Sequence, residues 1–106
     1  MATITEDYCS QEVYRLLREK GFDGEIHTTF DKEGYTQVSI TLQMAMKWLR
    51  EVYNIDISII PLRSHKEYLP RIESDTISHD AIPCRKYEDA CEAAIKYCLD
   101  NLDYLI

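Results

Sequence analysis

Glycine and proline are scarce, three of each in 106 residues. That excludes collagen-like, linker-like and low-complexity chains. No apolar run approaches the ~20 residues that a membrane-spanning helix needs, so no membrane partner is expected. The opening residues MATITEDYCS offer neither a basic n-region nor an apolar h-region, and no signal peptide is expected. Positive charge is in short supply as well: 12 Lys and Arg stand against 19 Asp and Glu, a net charge of -7. The acidity is not confined to one tail, because residues 1–53 hold nine acids against six bases and residues 54–106 ten against six. A mean field of this sign repels a phosphate backbone, so a nucleic-acid partner is disfavoured.

What remains is an ordinary globule. Hydrophobic residues make up 45% of the chain and charged residues 29%, and a domain of this length hides roughly two-thirds of its unfolded surface. Four cysteines, Cys9, Cys84, Cys91 and Cys98, are too few for a disulfide-dense scaffold and contain no Cys-x-x-Cys pair. Cys91 and Cys98 lie two helical turns apart, beyond the ~7 Å between Cα atoms that a disulfide tolerates. Free thiols and a reducing cytoplasm are the expectation.

Hydrophobic spacing organises the chain. Tyr8, Cys9, Val13, Leu16 and Leu17 predict a helix over residues 5–20, capped by Thr3 or Thr5 and stopped at Gly21. Residues 25–30 and 35–40 alternate on either side of Asp31–Gly34 and predict a hairpin, with Ile26, Thr28 and Phe30 on one face. Thr41 is placed to cap a second helix with the stripe Leu42, Ala45, Met46, Leu49, Val52 and Tyr53, with Trp48 at its edge and Asn54 ending it. Ile55–Ile60 reads as a strand ending at Pro61. Residues 68–72 and 76–82 predict a second hairpin, with Pro70 making its strand either an edge strand or irregular at that point. Tyr87, Cys91, Ala94, Ile95, Cys98, Leu99 and Leu102 predict a long closing helix. The expected fold is α+β: a single two-layer domain over residues 1–106, order α-β-β-α-β-β-β-α, with about three helices packed on a small, mainly antiparallel sheet.

Two segments carry a resemblance. TLQMAMKWLREVYNIDISI resembles the T-x-x-M-A-x-x-W-L-R-E-x-x-x-I-x-I block of small uncharacterised proteins from phages and mobile elements of gut bacteria. YEDACEAAIKYCLDNL resembles the closing helix of the same group. The resemblance implies a small cytoplasmic protein of host-associated bacterial or prophage origin, and it brings no catalytic or binding residue with it.

Candidate chemistry is sparse. Ser78-His79-Asp80 holds the residue types of a hydrolytic triad, but neighbours on a strand point to opposite faces and cannot form the relay. Cys84 with His79 is the best reactive pair. Arg85, Lys86 and a helix N-terminus beside the thiol are features that lower a thiol pKa. His27, His65 and His79 show no ligand spacing, and Gly21, Gly24 and Gly34 form no phosphate loop, so neither a metal nor a cofactor is expected. Lys47, Trp48 and Arg50 do not make a recognition helix, since Asn54 leads straight into a strand.

Eight tyrosines against two phenylalanines are more than a small core absorbs, and tyrosine suits surfaces that are half wet. The reading favoured by these features is a non-enzymatic protein-binding or accessory module, with a protein partner or a second copy (a possible homodimer). Its expected contacts are Trp48, Tyr104, Leu105 and Ile106. The alternatives are a reactive-thiol protein or small enzyme centred on Cys84, and an acidic DNA-mimic inhibitor built on the closing helix.

Overall fold

A computed structural model describes residues 7–24, 26–30 and 33–106. Their architecture is α+β, in the predicted order with one short helix added: α1 (Gln11–Glu19), β1 (His27–Phe30), β2 (Thr36–Ser39), α2 (Leu42–Tyr53), β3 (Asp56–Leu62), β4 (Glu67–Glu73), β5 (Ser78–Asp80), α3 (Tyr87–Asp100) and α4 (Leu102–Leu105). The strands form two antiparallel sheets, β1-β2 and β3-β4-β5.

The first helix starts later than its spacing predicts. Ser10 caps it, its hydroxyl accepting the Val13 N–H at 3.3 Å, while Thr3 and Thr5 lie outside the described residues. Tyr8 and Cys9 are extended instead, because Cys9 N–H donates to the Ile40 carbonyl and Leu42 N–H to the Asp7 carbonyl, each at 2.9 Å. The stop is as predicted. Gly21 has φ +96°, and the Phe22→Leu17 and Gly21→Arg18 bonds close the two-bond left-handed cap. In α2 the Thr41 hydroxyl accepts the Met44 N–H at 3.1 Å, and Asn54 ends the helix at φ +56°. Two side chains trade places there: Val52 is exposed and Trp48 is buried.

The three-stranded sheet corrects two expectations. β3 runs through Pro61 to Leu62, and β4, which contains Pro70, is the central strand and not an edge. The register explains both. Tyr68 exchanges two backbone bonds with Cys84, at 2.7 and 2.9 Å, and the Pro70 carbonyl accepts the Ala81 N–H at 2.9 Å. An antiparallel residue turns its N–H and C=O to the same neighbour. Pro70 therefore faces the β5 side, and the β3 ladder loses nothing. Pro61, opposite Tyr68, turns its ring nitrogen to the free edge of β3, where no donor is required.

The same register contains a bulge. Ile72 pairs with His79, Pro70 meets Ala81 and Tyr68 meets Cys84, so two residues of β4 are matched by two and then by three on the returning strand. The extra residue falls at Ile82-Pro83, where it breaks the edge and throws Ile82 outward at 84% exposure.

α3 lies across β3 and β4, flanked by α1 and α2. Its residues Cys91, Ala94, Ile95, Cys98 and Leu99 meet Val13, Leu17, Leu49, Ile55 and Ile72 in the core. The β1-β2 hairpin, with Gly34 at φ +86°, is anchored by the Ser39 hydroxyl on the Cys9 carbonyl and the Gln11 amide on the Val38 carbonyl. The Ile26, Thr28 and Phe30 side faces water, Phe30 at 72% exposure. Among the described residues no helix is long and apolar enough to cross a membrane.

Candidate functional site

The bulge and α3 together form a groove of about 470 Å³, lined by His79, Asp80, Ala81, Ile82, Cys84, Ala93 and Tyr97. β5 sets His79 on the same face as Ile72, turned toward α3, and its ring stacks on Tyr97 with centroids 4.4 Å apart and planes 6° apart. Ser78 and Asp80 go to the opposite face, as strand alternation requires. There the Asp80 carboxylate takes two bonds from Arg71, at 2.8 and 3.2 Å, and that hydrogen bond holds its pKa below the usual aspartate value. Asp80 is thus committed to a guanidinium, and the three consecutive residues form no relay.

Cys84 and His79 do share this groove, but the thiol's chemistry differs from the expectation. Burial pushes its pKa up, and Asp89 and Glu67 push it the same way. With the pKa raised, chiefly by burial, the nearby Arg85, Lys86 and helix N-terminus stabilise no thiolate. The sulfur's hydrogen bond goes to the Ile82 carbonyl, at 3.6 Å. The other three thiols are free and buried. Desolvation raises Cys9 and Cys98 to about 12 and Cys91 to about 11. In the folded protein iodoacetamide is expected to modify Cys84 first, slowly at pH 7 and faster even past pH 9. Peptide mapping that finds Cys91 or Cys98 labelled at the same rate would contradict the packing of α3.

The surface contacts expected from the sequence divide. Trp48, 9% exposed, sits edge-on to Phe22 and Tyr53 and is a core residue. Leu105, 2% exposed, is drawn inward by the single turn of α4, in which the Asn101 carbonyl accepts the Tyr104 and Leu105 N–H groups. Only Tyr104 and Ile106, each 64% exposed, lie on the surface. The acids of α3 are also partly engaged: Glu92 accepts the Ser10 N–H, and Lys96 bridges Glu12 and Asp100 at 3.5 and 3.3 Å. No group of three metal-ligating side chains occurs among the described residues.

Across the Cys84-Arg85 peptide from the groove lies a second concavity, of about 300 Å³, lined by Pro61, Leu62, Arg63, Lys66, Glu67, Tyr68 and Arg85. Sequence spacing does not reveal it, because its three cations come from the β3-β4 turn and from the segment before α3. Their one local signal is the lack of an acid between residues 57 and 66.

The two sites define the class as a small α+β protein with an apolar groove at a bulged sheet edge and a cationic pocket beside it. The chain matches no family model, no curated protein and no solved structure.

Proposed function

We propose that this is a non-enzymatic protein-binding module, and that the groove between β5 and α3 takes an apolar side chain from an extended segment of a partner protein. The observation that carries the reading is the combination of an almost wholly apolar concavity with Ile82, 84% exposed, at its rim. A concave apolar site with few polar groups holds an anchor side chain, and water leaves it at little polar cost. The α3 stripe that forms its floor runs Asp89, Ala93, Tyr97, Asp100 at helical spacing. Asp100 is already bridged by Lys96, so Asp89 is the carboxylate left beside the apolar floor, and the occupant that complements it carries Lys or Arg on that side of its anchor. The reactive-thiol alternative lacks support here, since Cys84 is held protonated and Asp80 is spoken for by Arg71.

A displayed peptide library selected on the purified protein tests the reading. Enriched peptides are expected to share an apolar anchor with a basic residue beside it. Their affinity should fall at least about tenfold on Ala93→Glu, which places an unpaired charge in the floor, while thermal stability stays at the parent value. Selection of no common motif, or binding that survives Ala93→Glu, overturns it. So does substrate turnover that Cys84→Ser abolishes.

A further inference from the structure

The second concavity has the opposite polarity to the rest of the molecule. In a chain of net charge -7, Arg63, Lys66 and Arg85 line one pocket of about 300 Å³ with a single carboxylate, Glu67. Two cations elsewhere meet acids, Arg71 with Asp80 and Lys96 with Glu12 and Asp100; what distinguishes Arg63, Lys66 and Arg85 is that they converge on one concavity. The three pocket cations form no ion pair and no side-chain hydrogen bond among the described residues. The local field is therefore positive, concentrated in a cleft where counter-charge accumulates.

The placement of these side chains follows from the fold. Arg63 and Lys66 belong to the tight turn between β3 and β4, in which His65 N–H donates to the Leu62 carbonyl at 3.1 Å. Lys66 has φ +55°, a left-handed backbone that an L-residue adopts only when its surroundings hold it there. Arg85 arrives from the far side, because the paired Tyr68–Cys84 bonds bring the segment before α3 against the start of β4. The bulge at Ile82-Pro83 sets this register; without it, residue 83 would stand opposite Tyr68. Tyr68, edge-on to Tyr87 at 5.8 Å, forms an aromatic wall with Pro61 and Leu62 beside it.

We propose that this pocket binds a phosphate monoester dianion, carried on an aromatic or apolar group that rests on Tyr68 and Pro61. Three cations against one carboxylate leave two positive charges, which match a monoester dianion better than a carboxylate or a sulfate ester. Guanidinium groups offer paired N–H donors to the phosphate oxygens, and Lys66 adds a point charge. The site is independent of the groove, and its test leaves the groove untouched.

Phenyl phosphate serves as the probe of a free monoester, and a short blocked peptide with one phosphotyrosine as the probe of a monoester on a protein. Amide chemical shifts are followed at constant ionic strength. Saturable shifts are expected at Arg63, Lys66, Tyr68 and Arg85 with both probes, and the tighter of the two identifies the source. Phenyl sulfate, a monoanion of the same shape, is expected to bind several-fold more weakly. Lowering the pH through about 6, where the monoester takes up its second proton, should weaken phenyl phosphate in the same way. Arg85→Gln should weaken phenyl phosphate about tenfold or more, since it removes a charged donor whose hydrogen bonds to an anion are the strong ones. Lys47→Gln makes the same change in net charge on the exposed face of α2 and should leave affinity unchanged. Shifts that rise without saturation, equal binding of phenyl sulfate, or equal losses in Arg85→Gln and Lys47→Gln would each overturn the proposal. The variant residues are exposed, so Arg85→Gln should unfold at the parent denaturant concentration, and binding loss cannot be ascribed to misfolding.

Discussion

Replacing Ile95 by Ala is expected to destabilise the protein by ~2–5 kcal/mol, the range for large-to-small changes in a core. Ile95 is completely buried at the centre of α3, the helix that touches α1, α2, β3 and β4. Its side chain belongs to the cluster that includes Leu17, Leu49, Ile55 and Ile72. Leu17, Leu49 and Ile72 come from α1, α2 and β4, and Ile55 is tied by its N–H to the Leu49 carbonyl, so little collapse into the vacated space is available and the cost should lie in the upper part of the range. Ile95→Val removes one methyl and should cost about 0.5–1.5 kcal/mol. Urea denaturation followed by circular dichroism measures both. An Ile95→Ala midpoint equal to the parent's would mean that α3 does not form the centre of the core.

Much of this fold was legible in the chain, for a reason that lies in particular residues. Leu42, Ala45, Met46 and Leu49 repeat at the helical period between a Thr41 that caps and an Asn54 that adopts the left-handed turn, so local propensity and burial point the same way. Where long-range contacts decide, the pattern misled. Tyr8 and Cys9 continue the helical spacing of α1, yet Tyr8 bridges to Thr41 and Cys9 bonds to Ile40, more than 30 residues away. Pro70 signals an edge strand by composition. Its central place depends on which neighbour its carbonyl faces, and register is not encoded in hydrophobic alternation.

The sites were less legible than the fold. His79 and Cys84 stood out by residue type, and they do line one groove. Their chemistry depends on partners brought from elsewhere: Arg71 for Asp80, Tyr97 for His79, and Glu67 with Asp89 for Cys84. The cationic pocket was invisible because Arg63 and Arg85 are 22 positions apart and meet only through the bulged register of residues 68–84. A one-residue bulge leaves no mark on composition or periodicity beyond an Ile-Pro step that reads as a strand end.

The largest single loss is expected from Trp48→Ala, ~3–5 kcal/mol for removing a buried indole. The sequence placed Trp48 at a stripe's edge, where a surface tryptophan would serve binding. In the structure its ring lies edge-on to Phe22, with centroids 5.6 Å apart, and to Tyr53 at 5.2 Å. Edge-to-face pairs of this kind add about 0.5–1.5 kcal/mol each beyond the area they bury. The Tyr53 hydroxyl donates to the Lys20 carbonyl at 3.2 Å, so the aromatic trio fastens the end of α1 to α2. Loss of the indole removes both pairs and leaves Phe22 without a wall, which should loosen the turn at Gly21 as well. Trp48→Phe keeps an aromatic ring in the gap and should cost less than half as much. Tyr104→Ser, at an exposed position, should stay within about 0.5 kcal/mol of the parent. Guanidinium denaturation of the three variants separates the two roles. If Trp48→Ala matches Tyr104→Ser in stability while losing the peptides selected on the parent protein, Trp48 belongs to a binding surface and the aromatic trio does not hold α1 to α2.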